Sequence, residues 1–236
     1  MAGAHLLRFP EAGLTRVIIF AKAPIAGIAK TRLIPRLGAA GAAALHAAMV
    51  ERMVAAATAA AVGPVELACT PDTSHPLFQS LSRRNGVTLS MQGDGDLGER
   101  MFRALDRAIV EEGAGIIIGT DCPAMDSQYL HAARTALDNY APVVVGPAED
   151  GGYVLIGGRV ACPAIFQGIE WGTDTVLHAT RQVLRARAIG WHELGTLWDV
   201  DRPEDLMRLS IEYPDFAPAA VAAGSNANAH RVQSTS

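Results

Sequence analysis

The stretch Val17 to Leu33, VIIFAKAPIAGIAKTRL, constrains this chain more than any other. It opens with Val17, Ile18, Ile19 and Phe20, a continuous apolar run of the sort buried on both faces of a parallel sheet. Pro24 and Gly27 then prevent direct continuation into helix, so the chain must cross the carboxyl edge of the sheet as a loop before helical character resumes near Leu37. Ala21 ends the run, and the loop after it carries Lys22, Lys30, Arg32 and, just beyond, Arg36. Of the 20 basic residues only Lys22 and Lys30 are lysine. A genomic preference explains the arginine bias but not why both lysines fall in one loop at the edge where open α/β sheets bind ligands. An ammonium is a point charge suited to phosphate oxygens, whereas a guanidinium is a planar fork. The loop is therefore a candidate phosphate-binding element, with a solvated surface loop as the plainer alternative. It lacks both the Gly-x-x-x-x-Gly-Lys-Ser/Thr pattern and the three spaced glycines of the dinucleotide fingerprint.

Strand and helix patterns alternate through the rest of the 236 residues. This predicts an α/β fold with a mostly parallel sheet and one domain over residues 15–212, preceded by a loose leader (1–14) and followed by a disordered tail (217–236). Predicted strands are Val17–Ala21, Val65–Cys69, Val87–Met91, Ile116–Ile118, Val143–Gly146 and Tyr153–Ile156. Predicted helices run from about Ala39 to Ala61, Leu77 to Arg83, Asp96 onward, Ser127 to Asn139, Thr173 or Asp174 to Arg187, and from the loop at Trp198–Leu206 to just before Pro214. Asp96 followed three residues later by Glu99, ahead of Leu97, Met101, Leu105 and Ile109, has the pattern of a helix-capping box.

A net charge of −4 excludes the basic surface that nucleic-acid binding needs. Cys69, Cys122 and Cys162 are odd in number and widely spaced, which argues against a disulfide framework and a structural zinc site and fits a reducing cytoplasm. The N-terminus has no signal-peptide core, and the Ala-rich stretch 39–62 carries Glu51 and Arg52 near its centre, so no membrane association is expected.

The acidic candidates lie at sheet ends. Asp121 follows a fully apolar strand, level with the basic loop; Asp199 and Asp201 form a second acidic point. Each has a plain role open to it as a turn or cap residue. Together they would suit Mg²⁺ or Mn²⁺, which take oxygen ligands from one or two carboxylates and the rest from phosphates and water. A diphosphate held between Lys22, Lys30 and Arg32 and such a metal would be stabilised as a leaving group. Gln92 and Gly93 end a strand on the same side, where backbone can approach a base or ribose. Glu149-Asp150-Gly151-Gly152-Tyr153 is the candidate acceptor side, with Asp150 as a general base, or else an ordinary Gly-Gly turn. Trp171 is placed to stack on a ligand or to pack in the core.

Six motifs in order carry a resemblance: AKAPIAGIAKTRL, Gly-Asp-Leu-Gly-Glu-Arg-Met at 95–101, Gly-Thr-Asp-Cys-Pro at 119–123, Gly-Pro-Ala-Glu-Asp-Gly-Gly-Tyr at 146–153, Trp171-Gly-Thr-Asp-Thr, and Asp199-Val-Asp-Arg-Pro-Glu-Asp. Over residues 15–210 the chain resembles the bacterial DUF2064 family, described as glycosyltransferase-like and of the GT-A, or nucleotide-diphospho-sugar transferase, superfamily; some members are linked to arsenosugar biosynthesis. The resemblance implies a three-layer α/β/α Rossmann-like sheet and a nucleotide site at the first loop; with the strand-end residues read above, the expected nucleotide site is Ala21, Lys22, Lys30, Arg32, Gln92 and Gly93. It implies metal ligation by Asp121 and, through an Asp-x-Pro-Glu-Asp element in related nucleotidyltransferases, by Asp201 rather than Asp199. The acceptor side read from the residues themselves is Gly151, Gly152, Tyr153 and Trp171. The expected activity is metal-dependent transfer from a nucleotide sugar to a small-molecule acceptor. The basic loop is equally similar to that of phospholactate guanylyltransferases, so nucleotidyl transfer from a nucleoside triphosphate, and nucleotide binding without turnover, stay open. In place of the Asp-x-Asp of many glycosyltransferases the chain has Asp121-Cys122-Pro123, with a single carboxylate.

Overall fold

A computed structural model describes residues 13–216. The tail expected from residue 217 and all but the last two residues of the expected leader lie outside the described residues. Seven strands form one sheet in the order β3-β2-β1-β4-β6-β5-β7: β1 (Thr15–Lys22), β2 (Val65–Thr70), β3 (Thr88–Met91), β4 (Ala114–Ile118), β5 (Val143–Pro147), β6 (Tyr153–Gly158) and β7 (Trp191–Glu193). All neighbours are parallel except β6, which runs antiparallel between β4 and β5. The expected mostly parallel, three-layer α/β/α sheet is what forms.

Strand periodicity sorts the core into two layers. From β1, Val17, Ile19 and Ala21 face the layer formed with helices α1 (Ile34–Ala60), α2 (Pro76–Asn85) and α4 (Ser127–Asp138). Ile18 points to the other layer, with Phe20 packed against it, under α3 (Leu97–Glu112) and α5 (Val176–Ala186). A third cluster joins Leu33, Leu37, Leu45 and Met49 to Trp198, Val200 and Leu209, the last from α6 (Asp205–Glu212). One described helix, Thr31–Ala60, is long and apolar enough to cross a membrane. Its Leu45, Met49, Val50, Met53 and Val54 are buried against the sheet and the third cluster, so the apolar face is spent on the core.

Local chemistry accounts for the boundaries. Gly38, at φ 70° and ψ 165°, interrupts α1, so the regular helix begins near the predicted Ala39 after a preliminary turn. Asp96 and Glu99 form the reciprocal capping box, each carboxylate accepting from the other's main-chain N–H. The cap of α4 is Asp126 and not the expected Ser127, because the Asp126 carboxylate reaches the Tyr129 N–H at 2.9 Å. Helix α5 begins at Val176, two or three residues later than expected, and α6 at Asp205, which leaves Pro203 outside the first turn. Strand β7 was not foreseen; three residues carry no periodicity to read.

One charge is buried within the sheet. Glu66 on β2 is 1% exposed and accepts from Arg16, from both terminal nitrogens of Arg107 and from the Ser90 hydroxyl. Burial would raise its pKa, but these donors outweigh that and hold it low. Glu66→Ala removes the shared acceptor of Arg107, Ser90 and one nitrogen of Arg16, which keeps Glu111 and Glu112, and is expected to cost about 2 kcal/mol in urea denaturation. Asp96→Ala, which removes only an exposed cap, should cost about 1 kcal/mol in the same measurement.

Candidate active site

The carboxyl ends of the parallel strands converge on one crevice. Lys22 closes β1, Gln92 follows β3, Asp121 follows β4, and Asp150 lies in the turn between β5 and β6. The fifth contributor is the extended segment Trp198–Asp201, where side chains alternate: Trp198 and Val200 are buried in the third core cluster, which turns Asp199 and Asp201 toward the opening. Main-chain bonds pin this segment. Val200 N–H donates to the Asp121 carbonyl at 2.8 Å, and Glu149 N–H donates to the Leu197 carbonyl at 2.9 Å.

The basic loop binds across the same gap. Lys30 has a side chain only 4% exposed, and its ammonium is 2.9 Å from Asp121 Oδ1. It also donates to the Val200 carbonyl. Lys30 holds left-handed backbone, φ 49° and ψ 47°, a conformation that non-glycine residues adopt at a cost of about 1 kcal/mol or more. Arg32 pairs with Asp201. Lys22, by contrast, is exposed and forms no ion pair among the described residues.

Three connected spaces make up the crevice, and Arg32 and Asp201 border all of them. The first, about 400 Å³, lies between Lys22, Lys30, Gln92, Thr120 and Asp121. The middle one, about 330 Å³, is mostly apolar and is bordered by Leu97, Met101, Tyr153 and Trp171 together with Asp121, Asp150 and Asp199. The outer one, about 640 Å³, is bordered by Asp150, Asp199, Asp174, Arg202 and Arg208.

The carboxylates are driven apart in acidity. Burial would raise Asp121, but the charge of Lys30 and hydrogen bonds from Lys30 and Thr120 hold it below the usual carboxylate range. Asp199 is pushed up to about 6, first by burial and then by the negative charges of Asp150 and Asp121. Among the described residues, no three His, Cys, Asp or Glu side chains are gathered closely enough to hold a metal ion by themselves.

The expected site residues divide into those that border the crevice and those that shape it. Lys22, Lys30, Arg32, Gln92, Asp121, Asp150, Gly152, Tyr153, Trp171 and Asp201 border it. Ala21 is fully buried in the core, and Gly93, at φ 78°, faces a neighbouring cavity. The Gln92 amide is already spent: its NH₂ donates to the Ala68 carbonyl at 2.9 Å and its oxygen accepts from Arg100 at 2.9 Å. Gly151, at φ 89°, is held against the segment that leads into α5, since an added Cβ would lie 2.1 Å from the Asp174 carbonyl oxygen. Gly152 N–H donates to Asp150 Oδ1 at 2.8 Å. Trp171 stands edge-on to Tyr153, with ring centroids 6.3 Å apart, and packs over Gly98, so it is largely a core residue with one face on the crevice. Cys122 is buried and its thiol is pushed up to about 12 by that burial, which removes it as a nucleophile.

His46 is a residue the periodicity did not single out. It lies one position past Leu45 on the buried side of α1, and its Nε2–H donates to the Lys22 carbonyl at 2.9 Å. Burial lowers its pKa more than nearby Asp121 raises it, so the ring is neutral and Nδ1 lacks a partner. A lone histidine in an alanine-rich helix was the only available signal.

Sheet order, crevice position and the antiparallel β6 define a Rossmann-like α/β fold of the GT-A type. The chain belongs to the family described as "Uncharacterized protein conserved in bacteria (DUF2064)", whose model matches residues 53–173. A crystal structure from Desulfovibrio desulfuricans G20, described provisionally as a nucleotide-diphospho-sugar transferase, is 26% identical, with a TM-score of 0.76 over 91% of this chain and 95% of that one. Two more distant structures share the fold. The 4-diphosphocytidyl-2C-methyl-D-erythritol synthase of Anaerococcus prevotii is 10% identical, with a TM-score of 0.56 over 84% of this chain and 97% of its own. Glucosyl-3-phosphoglycerate synthase of Mycobacterium tuberculosis, solved with Mn²⁺, UDP and glucosyl-3-phosphoglycerate, is 11% identical, with a TM-score of 0.51 over 88% and 80%. A search of curated proteins finds no match.

The raised Asp199 has a measurable consequence. Between its ordinary pKa of 3.8 and about 6 the folded protein binds more protons than the unfolded chain, so this group makes stability fall as pH rises through that window. Its destabilising effect is complete above about pH 6 and absent below about pH 4. Asp199→Asn should therefore be more stable than the parent at pH 7, on the order of 1 to 2 kcal/mol, with the gain vanishing near pH 4. Urea melts of both proteins at pH 4 and pH 7 check this, and an equal difference at both pH values contradicts it.

Proposed function

We propose that the protein is a metal-dependent transferase that takes a nucleotide sugar as donor and passes the sugar to a hydroxyl of a small-molecule acceptor. The observation that carries this reading is the meeting of the Lys22 to Arg32 loop with Asp121, Asp150 and Asp199 around one crevice. The D. desulfuricans structure, similar over nearly the whole chain, adds support.

In this reading the uncommitted Lys22 ammonium and the exposed Arg32 guanidinium hold the diphosphate in the first space. Lys30 is an organiser: pinned on Asp121 and Val200, it fixes the loop that presents them. Gln92, locked by Ala68 and Arg100, forms the wall on which the base rests, and neutral His46 steadies Lys22 through its main chain. The sugar lies in the middle space against Tyr153 and Trp171.

The donor set suits a hard cation, because it is made of carboxylate oxygens with no thiolate or imidazole. The upward shift of Asp199 marks negative charge that the protein leaves uncompensated. Asp121 and Asp199 would hold the metal, with Asp201 left to Arg32, and the remaining ligands would come from phosphate oxygens and water. Bound Mg²⁺ or Mn²⁺ would supply Lewis-acid neutralisation of the departing diphosphate. Asp150 keeps one carboxylate oxygen beyond its bond to Gly152 N–H and takes the proton of the acceptor hydroxyl. The acceptor oxygen bonds to the anomeric carbon as the bond from that carbon to the diphosphate breaks, and the nucleoside diphosphate leaves. We assign the protein to the cytosol, since its three cysteines are free thiols.

A thermal-shift panel of sugar nucleotides and nucleoside triphosphates, each with and without Mg²⁺ and Mn²⁺, tests the reading. A sugar nucleotide with metal should raise the melting temperature, and nucleoside diphosphate should accumulate on adding acceptor. Lys22→Ala should weaken donor binding at least tenfold, and Asp121→Asn should abolish the metal-dependent part. Pyrophosphate released from a triphosphate would replace this reading with nucleotidyl transfer, and a donor that binds Lys22→Ala and Asp121→Asn like the parent would sink the site.

A further inference from the structure

Beside the crevice, on the α3 face of the sheet, lies a separate cavity of about 340 Å³. It exists because α3 packs on β4 and β1 while the β2–β3 end of this face has no helix of its own. The floor is Phe20, Ala68 and Ser90, and the roof is Arg100, Arg103 and Arg107, spaced by three and four along one face of α3. No carboxylate borders it. Buried Glu66 lies beneath, but its charge is already met by Arg16 and by the bidentate Arg107.

Arg100 and Arg103 are different. Arg100 donates to the Asp96 carbonyl at 3.2 Å and to the Gln92 side-chain oxygen at 2.9 Å. Arg103 donates to the main-chain carbonyls of Asp94 and Gln92. Neither forms an ion pair among the described residues, although the chain as a whole carries −4. Two guanidiniums are thus oriented by neutral acceptors over a cavity without counter-charge, each with donors to spare.

We propose that this cavity binds a small organic phosphate monoester at a site separate from the nucleotide crevice, its phosphate on Arg100 and Arg103 and its apolar body on Phe20 and Ala68. The cavity is larger than a phosphate ion fills, and its floor is largely apolar, which favours an ester over the free ion. The assignment holds whichever reaction the crevice performs. Gln92 and Phe20 border both spaces, so a phosphate that draws Arg100 off Gln92 loosens the wall of the nucleotide end, and binding at the two sites is linked reciprocally.

The probes are phenyl phosphate and inorganic phosphate, titrated without metal by calorimetry. The crevice is silenced with Lys22→Ala and Arg32→Gln together, so that phosphate bound there does not contribute. Phenyl phosphate should bind this double variant as it binds the parent, and more tightly than inorganic phosphate. Adding Arg100→Gln and Arg103→Gln should weaken it at least tenfold, whereas Arg103→Lys, at an exposed position, should retain part of the affinity; a melt of each variant confirms that it is folded. Binding that disappears with the crevice substitutions, that survives loss of both arginines, or that is equal for the ester and the free ion overturns the proposal.

Discussion

The ammonium of Lys30 is the point on which the architecture turns. A cation with a side chain 4% exposed is stable only if opposite charge and hydrogen-bond acceptors surround it, and here they come from distant parts of the chain: the Asp121 carboxylate after β4 and the Val200 carbonyl near the C-terminal helix. Three segments are thereby held at one edge of the sheet. The left-handed backbone of Lys30 is the local cost, offset by the buried pair and by the Val200 N–H bond to Asp121 that closes the same triangle.

Once that triangle is closed, the distribution of charge follows. Lys30 is consumed by Asp121 and Arg32 pairs with Asp201 while staying exposed, which leaves Lys22 as the uncommitted amine and Asp199 as the carboxylate without a cation of its own. Burial, and then crowding by Asp150 and Asp121, lifts Asp199 to about 6 while Lys30 holds Asp121 low. Opposite shifts on neighbouring carboxyl groups show that burial and local charge, not residue type, set their acidity. The same logic explains Gln92: tied to Ala68 and Arg100, it serves as a rigid wall and not as a free reader of a base.

The fold was largely legible from periodicity. Apolar runs gave six of the seven strands, and the capping box at Asp96 gave the start of α3 to the residue. What escaped has a physical cause in each case. Ser127 and Asp126 are both good caps by type, and only the geometry of the Tyr129 N–H separates them. Strand β7 is too short to show alternation, and while β6 runs antiparallel to β5 because a short turn joins them, its insertion between β5 and β4 is a tertiary pairing that periodicity does not encode. His46 carried no pattern at all; its role depends on a carbonyl 24 residues away.

The sequence by itself determined that charges would gather at one sheet edge, since strands end where apolar runs end and the polar residues after β1, β4 and β5 must then lie side by side. It also determined that Asp199 and Asp201 would share an orientation, because extended chain alternates and the residues between and before them are Val200 and Trp198. Only the tertiary structure decided which cation met which anion, and so which amine and which carboxylate remained free. That choice rests on distances of a few ångströms between groups up to 170 residues apart, and neither composition nor spacing encodes it.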